Sequence, residues 1–348
     1  MRRSLRLLNI SVLILSLLLT ASCGAEPVPA GSSSVPAASS ESTPEAESTA
    51  PAKPVIPYVS AEGITDPLAK WATERIDPAI NAGIDVLNEY TDPREVEVFA
   101  YKPEEDRRYD SLNEASQGTY RTMYEAVCAF DQYEIRESDL GTENPFGDVI
   151  DAVYAIYHDD PVRKLYWADG GDYYSHRPRY FTANDDMHST DDLAAVKVDY
   201  ERFCAVFDRI LECVPEGISN YRKCQFFTAV ICAACTYDVS LESELHPFQA
   251  YDALVEGTAV CAGYTEAFQL LCHAAGINCK SIQGHVLGSD EKHIWNVLDT
   301  ADGARYTDVT WTDAEIEKQG TAFWFEYFMI EEQMMLNSGH QPDWDSIE

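Results

Sequence analysis

The stretch Gly257-Thr258-Ala259-Val260-Cys261-Ala262-Gly263-Tyr264 places a cysteine where an apolar helical pattern begins. The pattern continues to Ala275 and is followed by Gly276, a residue type that commonly ends helices, so we predict a helix over residues 261–275. The positive end of the helix dipole and the unpaired N–H groups there favour a thiolate at Cys261. The same N–H groups can bind the oxyanion that forms when a thiolate attacks a carbonyl.

Strand patterns further along the chain contain His293 and Asp308, the histidine and the aspartate that could act with Cys261. Residues 281–287, 293–299 and 305–310 each show a pattern typical of a strand. The Asp302-Gly303 pair lies between the last two strands and is a strong turn signal. We therefore predict that these two strands form an antiparallel hairpin.

The register of this hairpin decides whether His293 and Asp308 can meet. If Asp299 faces Ala304, His293 and Asp308 lie on one face as diagonal neighbours, with their backbones roughly 7 Å apart. A slip of one residue would put them on opposite faces. In the predicted register the carboxylate fixes the tautomer of the imidazole and leaves its other nitrogen for Cys261.

Composition and charge limit the classes of function. The chain of 348 residues is 45% hydrophobic and 11% aromatic, which indicates a packed globular protein with room for two modest domains. Its formal net charge of -34 at pH 7 is unfavourable for binding nucleic acid or anionic lipid headgroups. We therefore expect neutral or basic partners, and membrane contact only through an attached lipid.

The N-terminal residues indicate export. Residues 1–22 are predicted to be a signal peptide, because arginines precede an apolar run that is too short to span a bilayer. Thr20-Ala21-Ser22-Cys23 resembles a bacterial lipobox, which makes Cys23 the expected lipidation site. Residues 23–57, rich in Ala, Pro and Ser, are predicted to be a disordered linker. We expect an extracytoplasmic protein anchored to the cell membrane by lipid; a secreted protein is the alternative.

Two regions follow the linker. Residues 58–214 are predicted to be an accessory α+β domain, in which Ser111 and Glu114 form a capping-box pattern. Residues 215–348 are predicted to be the catalytic domain, and it begins with a helix over about 219–236. The accessory domain has further helical patterns around residues 120–127, 149–157 and 193–211, and patterns of short strands within 164–182.

Ten cysteines are many for an exported protein. Apart from Cys23 and Cys261, the other eight are an even set that could form four disulfides. Most of them lie in apolar helical patterns, which favours buried free thiols, although disulfides stay open as an alternative. Cys232 and Cys235 form a single Cys-x-x-Cys pair of this kind, which is better explained as core than as a zinc or redox motif.

Three motifs together resemble the transglutaminase-like superfamily. They are Cys261-Ala262-Gly263-Tyr264, His293-Ile294-Trp295-Asn296 and Tyr306-Thr307-Asp308-Val309-Thr310-Trp311, in that order and at short separations. The resemblance covers roughly residues 219–313. It implies an α+β fold similar to that of papain-type cysteine proteases, in which a helix bearing the nucleophilic cysteine packs on an antiparallel sheet. It also implies a mainly helical accessory domain, as in bacterial surface members.

The resemblance also implies roles for individual residues. Cys261 matches the nucleophile, His293 the general base and acid, and Asp308 the carboxylate that orients the histidine. An oxyanion donor is expected upstream of the nucleophile, and Tyr251 is the candidate. His285 competes with His293 as base but lacks the His-x-Trp-Asn context. The chemistry requires no cofactor.

These roles predict a cysteine hydrolase, a protease or amidase that forms a thioester with peptide or protein substrates such as cell-wall peptides or surface proteins. Cross-linking of glutamine to amines, as in a transglutaminase, is one alternative, and a non-catalytic binding module on the same fold is another. A zinc ion held by Cys261, His293 and Asp308 is a third hypothesis. The acidic residues 184–186 and 191–192 lack the spacing of an EF-hand and are interpreted as a solvated loop rather than a calcium site.

Overall fold

The computed structural model describes residues 55–103, 107–131, 143–161, 163, 193–239, 249–289, 291–319 and 326–347. The predicted signal peptide, the lipidation site Cys23 and most of the predicted linker lie outside these residues. So do the predicted strands within 164–182 and the acidic residues 184–192. Among the helices that are described, none has the length and apolar character needed to cross a membrane.

The described residues form helices, a four-stranded sheet and a two-stranded sheet. The helices are α1 (Pro67–Glu89), α2 (Glu114–Ala129), α3 (Pro145–Asp159), α4 (Leu193–Glu212), α5 (Asn220–Ala234), α6 (Cys261–Ala274), α7 (Val309–Gln319) and α8 (Glu332–Asn337). The strands are β1 (Thr236–Tyr237), β2 (Thr258–Ala259), β3 (Cys279–Val286), β4 (Lys292–Thr300), β5 (Gly303–Thr307) and β6 (His340–Pro342).

Helix starts follow the local capping chemistry. Helix α5 begins where predicted, with Ser219 as its N-cap, and α4 and α6 also match their predicted ranges closely. The predicted capping box is wrong. Asn113, not Ser111, caps α2, and its side-chain oxygen accepts a hydrogen bond from the N–H of Ser116 at 2.9 Å. Ser111 instead ends a short 3₁₀ turn, in which its hydroxyl donates to the carbonyl of Arg108.

The main sheet is antiparallel in the order β5-β4-β3-β6. Asp299 pairs with Ala304, so the predicted hairpin register is confirmed. The predicted extent of the last strand, to residue 310, is wrong, because β5 ends at Thr307 and α7 begins at Val309. The cause is Asp308, whose side-chain oxygen accepts a hydrogen bond from the N–H of Trp311 at 3.0 Å and so caps α7.

The largest core lies between α1, α4, α5 and α6 and the face of the sheet. Ile76 and Ile80 of α1 are fully buried in it, together with Phe226 and Val230 of α5. Helix α1 approaches α5 closely because Gly83 has no side chain: a Cβ there would lie 2.7 Å from the ring of Phe226. This core joins residues on both sides of position 214. The division into an accessory and a catalytic domain stays a prediction.

A second, smaller core joins α2 and α3. Met123 and Val127 of α2 pack against Val153 and Ile156 of α3, and all four side chains are buried. Met123, Val127 and Val153 belong to the helical patterns that the sequence predicts, whereas Ile156 was not among the predicted residues.

Arg75 of α1 fixes the turn that leads to β2 and Cys261. Its guanidinium donates hydrogen bonds to the carbonyls of Val255 at 2.8 Å and of Ala234 at 3.0 Å. Gly257 lies under this side chain with a φ of +80°, where a Cβ would be 2.5 Å from the guanidinium and 3.1 Å from the Ala234 carbonyl. The turn therefore requires glycine both for its left-handed backbone and for the close approach of Arg75.

We expect Gly257→Ala to destabilise the protein more than Gly276→Ala does. Both positions have a left-handed φ, which costs an alanine roughly 1–2 kcal/mol, but a Cβ at Gly276 meets no atom within 4 Å. The added methyl at Gly257 must displace Arg75 and weaken its hydrogen bonds, for a further loss of about 1–3 kcal/mol. Urea unfolding of the two variants measures the difference, and equal losses would contradict the close approach.

Candidate active site

Cys261 is the first residue of α6, and its side chain is buried, with 1% exposed. The N-cap of the helix is Val260, which offers no side-chain hydrogen bond to the N–H groups of the first turn. The parallel pairing of β2 with β1, Ala259 opposite Tyr237, holds the chain immediately before the helix. The thiol therefore lies at an uncapped helix N-terminus, where the dipole and backbone N–H groups stabilise negative charge.

His293 of β4 lies between Cys261 and Asp308. Its Nε2 is 2.7 Å from Oδ2 of Asp308, and the Cys261 thiol lies near enough to the ring to raise the pKa of His293. Because Asp308 occupies Nε2, Nδ1 is the nitrogen left to face the thiol. The structure thus brings together the three residues that the sequence motifs single out.

Burial and neighbouring charges shift the pKa values of His293 and Asp308 in opposite directions. Burial alone lowers the pKa of His293, but the carboxylate of Asp308 and the Cys261 thiol outweigh it and hold the pKa well above its usual range. Burial likewise raises the pKa of Asp308, but His293 and His340 outweigh it and hold the pKa below its usual range. The pair is therefore an imidazolium and a carboxylate in a buried setting.

Two hydrogen bonds hold α6, which begins at Cys261, against β4, which carries His293. The Thr265 hydroxyl donates to the carbonyl of Ile294 at 3.1 Å, and the side-chain amide of Asn296 donates to the carbonyl of Thr265 at 3.1 Å. Asn296 is completely buried. The asparagine of the His-Ile-Trp-Asn motif therefore joins strand to helix.

A second histidine, His340, contacts the same carboxylate, and the sequence analysis missed it. It is the first residue of β6, is 2% exposed, and places Nε2 2.9 Å from Oδ2 of Asp308. Its Nδ1 lies 2.9 Å from the hydroxyl of Ser338. The sequence around it carries no motif or periodic pattern. The available signal was a histidine placed directly after the turn residue Gly339.

Two tryptophans line the imidazoles. The His293 ring stacks on Trp295 and on Trp311, with ring centroids 5.7 and 5.5 Å apart. Trp311 also lies 4.2 Å from the His340 ring, and Trp295 donates a hydrogen bond from its indole N–H to the sulfur of Met335. The indoles fix the planes of both imidazoles and exclude water from their contacts with Asp308.

His293, Asp308 and His340 are also a set of side chains that can hold a metal. Their ligand atoms lie within 4.8 Å of one another, and no other such cluster occurs among the described residues, so Cys261 belongs to none. Both histidine nitrogens are 2.7–2.9 Å from one oxygen, which is the spacing of N–H···O hydrogen bonds. Hydrogen bonds therefore account for the close spacing of these three side chains. The cluster differs from the zinc ligands hypothesised from the sequence, because it contains His340 in place of Cys261.

The hydroxyl of Tyr251, the predicted oxyanion donor, has hydrogen-bond partners other than Cys261, His293 and Asp308. Its hydroxyl lies 2.9 Å from a carboxylate oxygen of Glu256 and 3.1 Å from one of Asp199 on α4. Burial and the two carboxylates raise the pKa of Tyr251. His285, the competing base, is exposed on β3, whereas His293 is buried.

The other described cysteines are free thiols, and several are buried. Cys224 and Cys272 bring their sulfurs to 3.9 Å across the α5–α6 contact. Cys232 and Cys235 lie at the end of α5, where burial raises the pKa of Cys235 to about 12. A thiol with so high a pKa stays protonated near neutral pH, as expected of core residues.

Residues 214–331 match the family model of the transglutaminase-like superfamily. This part of the chain is therefore a transglutaminase-like domain, and the α+β fold class predicted from the sequence is confirmed. Members of this superfamily are typically cysteine-dependent enzymes.

Two curated relatives are each similar to a part of the chain. Kyphoscoliosis peptidase of Mus musculus is 22% identical over 149 residues, which is 38% of this chain and 22% of the relative. Kyphoscoliosis peptidase of Homo sapiens is 23% identical over 128 residues, which is 32% of this chain and 19% of the relative. The chain thus spans about a fifth of the length of these relatives.

We expect Asp308→Asn to flatten the dependence of stability on pH. The raised pKa of His293 stabilises the fold fully below the unfolded value of about 6.5, and this contribution is lost as pH rises through the folded value. The lowered pKa of Asp308 stabilises the fold above its unfolded value of about 3.9 and is lost as pH falls. Wild-type protein should be most stable between about pH 4 and 6.5.

Urea unfolding between about pH 3.5 and 9 measures both profiles. Near pH 5.5 the variant should be roughly 3–5 kcal/mol less stable, because it leaves a buried imidazolium without its counterion. Asp302→Asn, at an exposed turn, is the matched control and should follow the wild-type profile. Parallel profiles for wild type and Asp308→Asn would rule out the charged pair.

Proposed function

We propose that this protein is an extracytoplasmic cysteine acyl-transfer enzyme, a peptidase or amidase that cleaves peptide or carboxamide bonds through Cys261, His293 and Asp308. The observation that carries the proposal is the buried hydrogen bond of His293 to Asp308 beside the Cys261 thiol at the start of α6. A nucleophile, a base and a group that orients the base are the requirements of thiol catalysis.

The geometry supports a two-step reaction. His293 holds the proton that the Cys261 thiol gives up, as an imidazolium, and the sulfur of Cys261 attacks the carbonyl carbon to form a tetrahedral oxyanion beside the first N–H groups of α6. The imidazolium then gives its proton to the departing amine as the C–N bond breaks, which leaves a thioester. Water, deprotonated by His293, attacks the thioester, and the C–S bond breaks to release the acid and restore the thiol.

Hydrolysis is supported by the relatives in mouse and human, both of which are named peptidases. An amine that replaces water in the second step would give transamidation instead, and the experiment below includes this outcome. The substrates that we propose are peptides or proteins, including cell-wall peptides and surface proteins. Export through residues 1–22 and lipidation at Cys23 would place the enzyme where such substrates occur.

We expect iodoacetamide to modify Cys261 roughly tenfold or more faster than Cys128 near neutral pH, because His293 and the helix terminus favour the thiolate. Cys128 is exposed, whereas Cys261 is 1% exposed, so accessibility alone predicts the opposite order. Mass spectrometry of digested, partly labelled protein measures both rates. A slower reaction at Cys261 in the folded protein would remove the basis of the proposal.

Peptide turnover tests the reaction itself. Purified protein is incubated with a peptide mixture, with and without a primary amine, and the products are identified by mass. Cleaved peptides in both samples indicate hydrolysis, and amine adducts indicate transamidation. Cys261→Ala should lower either activity by roughly 10³-fold or more, whereas Cys128→Ala should not change it. Turnover that survives Cys261→Ala would exclude this cysteine as the nucleophile.

We expect Tyr251→Phe to change kcat by less than about twofold, whereas loss of an oxyanion donor costs roughly 10²–10³-fold. The reason is that the Tyr251 hydroxyl contacts Glu256 and Asp199. Steady-state turnover of a peptide found in the mixture above provides the comparison. A loss of a hundredfold without a change in unfolding would restore Tyr251 as the oxyanion donor.

A further inference from the structure

We propose that His340 is a positioning residue for this reaction: its Nε2–H holds the Asp308 carboxylate in the orientation that His293 requires. The inference rests on the proposed function, since it assigns His340 to the same acyl-transfer site. It adds a fourth side chain, from a strand near the C-terminus, to the three that the sequence motifs contain.

The hydrogen-bond geometry determines which nitrogen of His340 is protonated. Asp308 is ionised, so its Oδ2 can only accept, and the His340 Nε2 at 2.9 Å must carry a hydrogen. The Nδ1 faces the Ser338 hydroxyl at 2.9 Å, and that hydroxyl is itself 2.7 Å from the carbonyl of Met335 at the end of α8. The imidazole is therefore held at both nitrogens.

Three N–H groups surround the Asp308 carboxylate. Oδ2 accepts from His293 and His340, and Oδ1 accepts from the backbone N–H of Trp311. The donors belong to β4, β6 and α7, so the carboxylate is held from three elements. Without His340 the carboxylate would lose one of its two hydrogen-bond donors at Oδ2. His293 would then be the remaining donor to that oxygen.

The glycine at position 284 allows the strand that carries His340 to reach this position. Gly284 of β3 pairs with His293 on one side and with Pro342 on the other. A Cβ at Gly284 would lie 2.2 Å from the carbonyl of Gln341 and 2.7 Å from the ring of Trp295. Strand β6 can therefore approach β3 only because residue 284 is glycine.

The groups that face His340 are few among the described residues. Asp308 approaches from the start of α7, His293 from β4 at a ring distance of 5.8 Å, and the ring of Tyr327 lies 6.3 Å away. Trp295 and Trp311 complete the surroundings. Removal of the His340 donor should therefore act mainly through Asp308 on His293.

The test compares His340→Leu, which fills the space without a donor, with His340→Gln, whose amide N–H can replace Nε2–H. We expect His340→Leu to lower kcat roughly tenfold to hundredfold with little change in KM, by analogy with other partners that orient a functional group. His340→Gln should retain most of the activity. His285→Gln, at an exposed position of β3, is the control and should match wild type.

The pH profile of Cys261 alkylation separates positioning from a merely structural role. With His340 removed, Asp308 interacts more strongly with the protonated ring of His293. The step in the alkylation rate that follows the titration of His293 should therefore move to higher pH in His340→Leu and stay near wild type in His340→Gln. A folded leucine variant with wild-type kcat and profile would overturn the proposal. So would equal losses in the leucine and glutamine variants, which would indicate a packing requirement.

If the leucine variant does not unfold cooperatively, proton NMR of wild type and His340→Gln decides instead. Several imidazole N–H groups are hydrogen-bonded in wild type, including those of His293, His340 and His273, so His340→Gln should lose one low-field N–H resonance relative to wild type. An unchanged set of low-field resonances in His340→Gln would overturn the inference. If wild-type protein lacks both a reactive Cys261 and peptide turnover, the proposed function fails, whereas the NMR result still reports the bond between His340 and Asp308.

Discussion

The ionised carboxylate of Asp308 is the buried charge on which the site depends. An isolated charge would be strongly destabilised at 3% exposure, so the fold must supply compensating groups. It does so from three directions: His293 from β4, His340 from β6 and a backbone N–H from α7. One oxygen of Asp308 also starts α7. The aspartate thus links the end of the sheet to the following helix and orients the histidine beside Cys261.

Cys261 and His293 lie on different elements, so their alignment depends on the contact between α6 and β4. Thr265 and Asn296 join these elements through two hydrogen bonds between side chains and backbone carbonyls. Arg75 and Gly257 fix the chain just before α6. Cys261 and His293 are therefore held by contacts from elements that are distant in sequence, which restricts the motion of the thiol relative to the imidazole.

Local sequence patterns predicted the features that depend on local chemistry. The Asp302-Gly303 turn determined the hairpin register, and the Cys-Ala-Gly-Tyr pattern marked the first residue of α6. The predicted end of β5 was wrong because Asp308 fits the alternating pattern of a strand, whereas in the structure its side chain caps α7. The contact of His340 with Asp308 depends on β6 pairing with β3 across Gly284, and single-sequence periodicity cannot show such a distant pairing. The same limit applies to α1, whose helical pattern gives no sign that it packs against α5.

The hydrogen bonds of Arg75 join residues that are 159 and 180 positions apart in the chain. During synthesis, α1 can therefore form these hydrogen bonds only after most of the protein has emerged. Their acceptors are the carbonyls of Ala234, at the end of α5, and Val255, shortly before β2. Until then only α4 can cover part of the apolar face of α1, and closing so long a loop costs conformational entropy. Assembly of the surroundings of Cys261 is thus a late event in folding, so partly made chains lack the contacts that hold the start of α6.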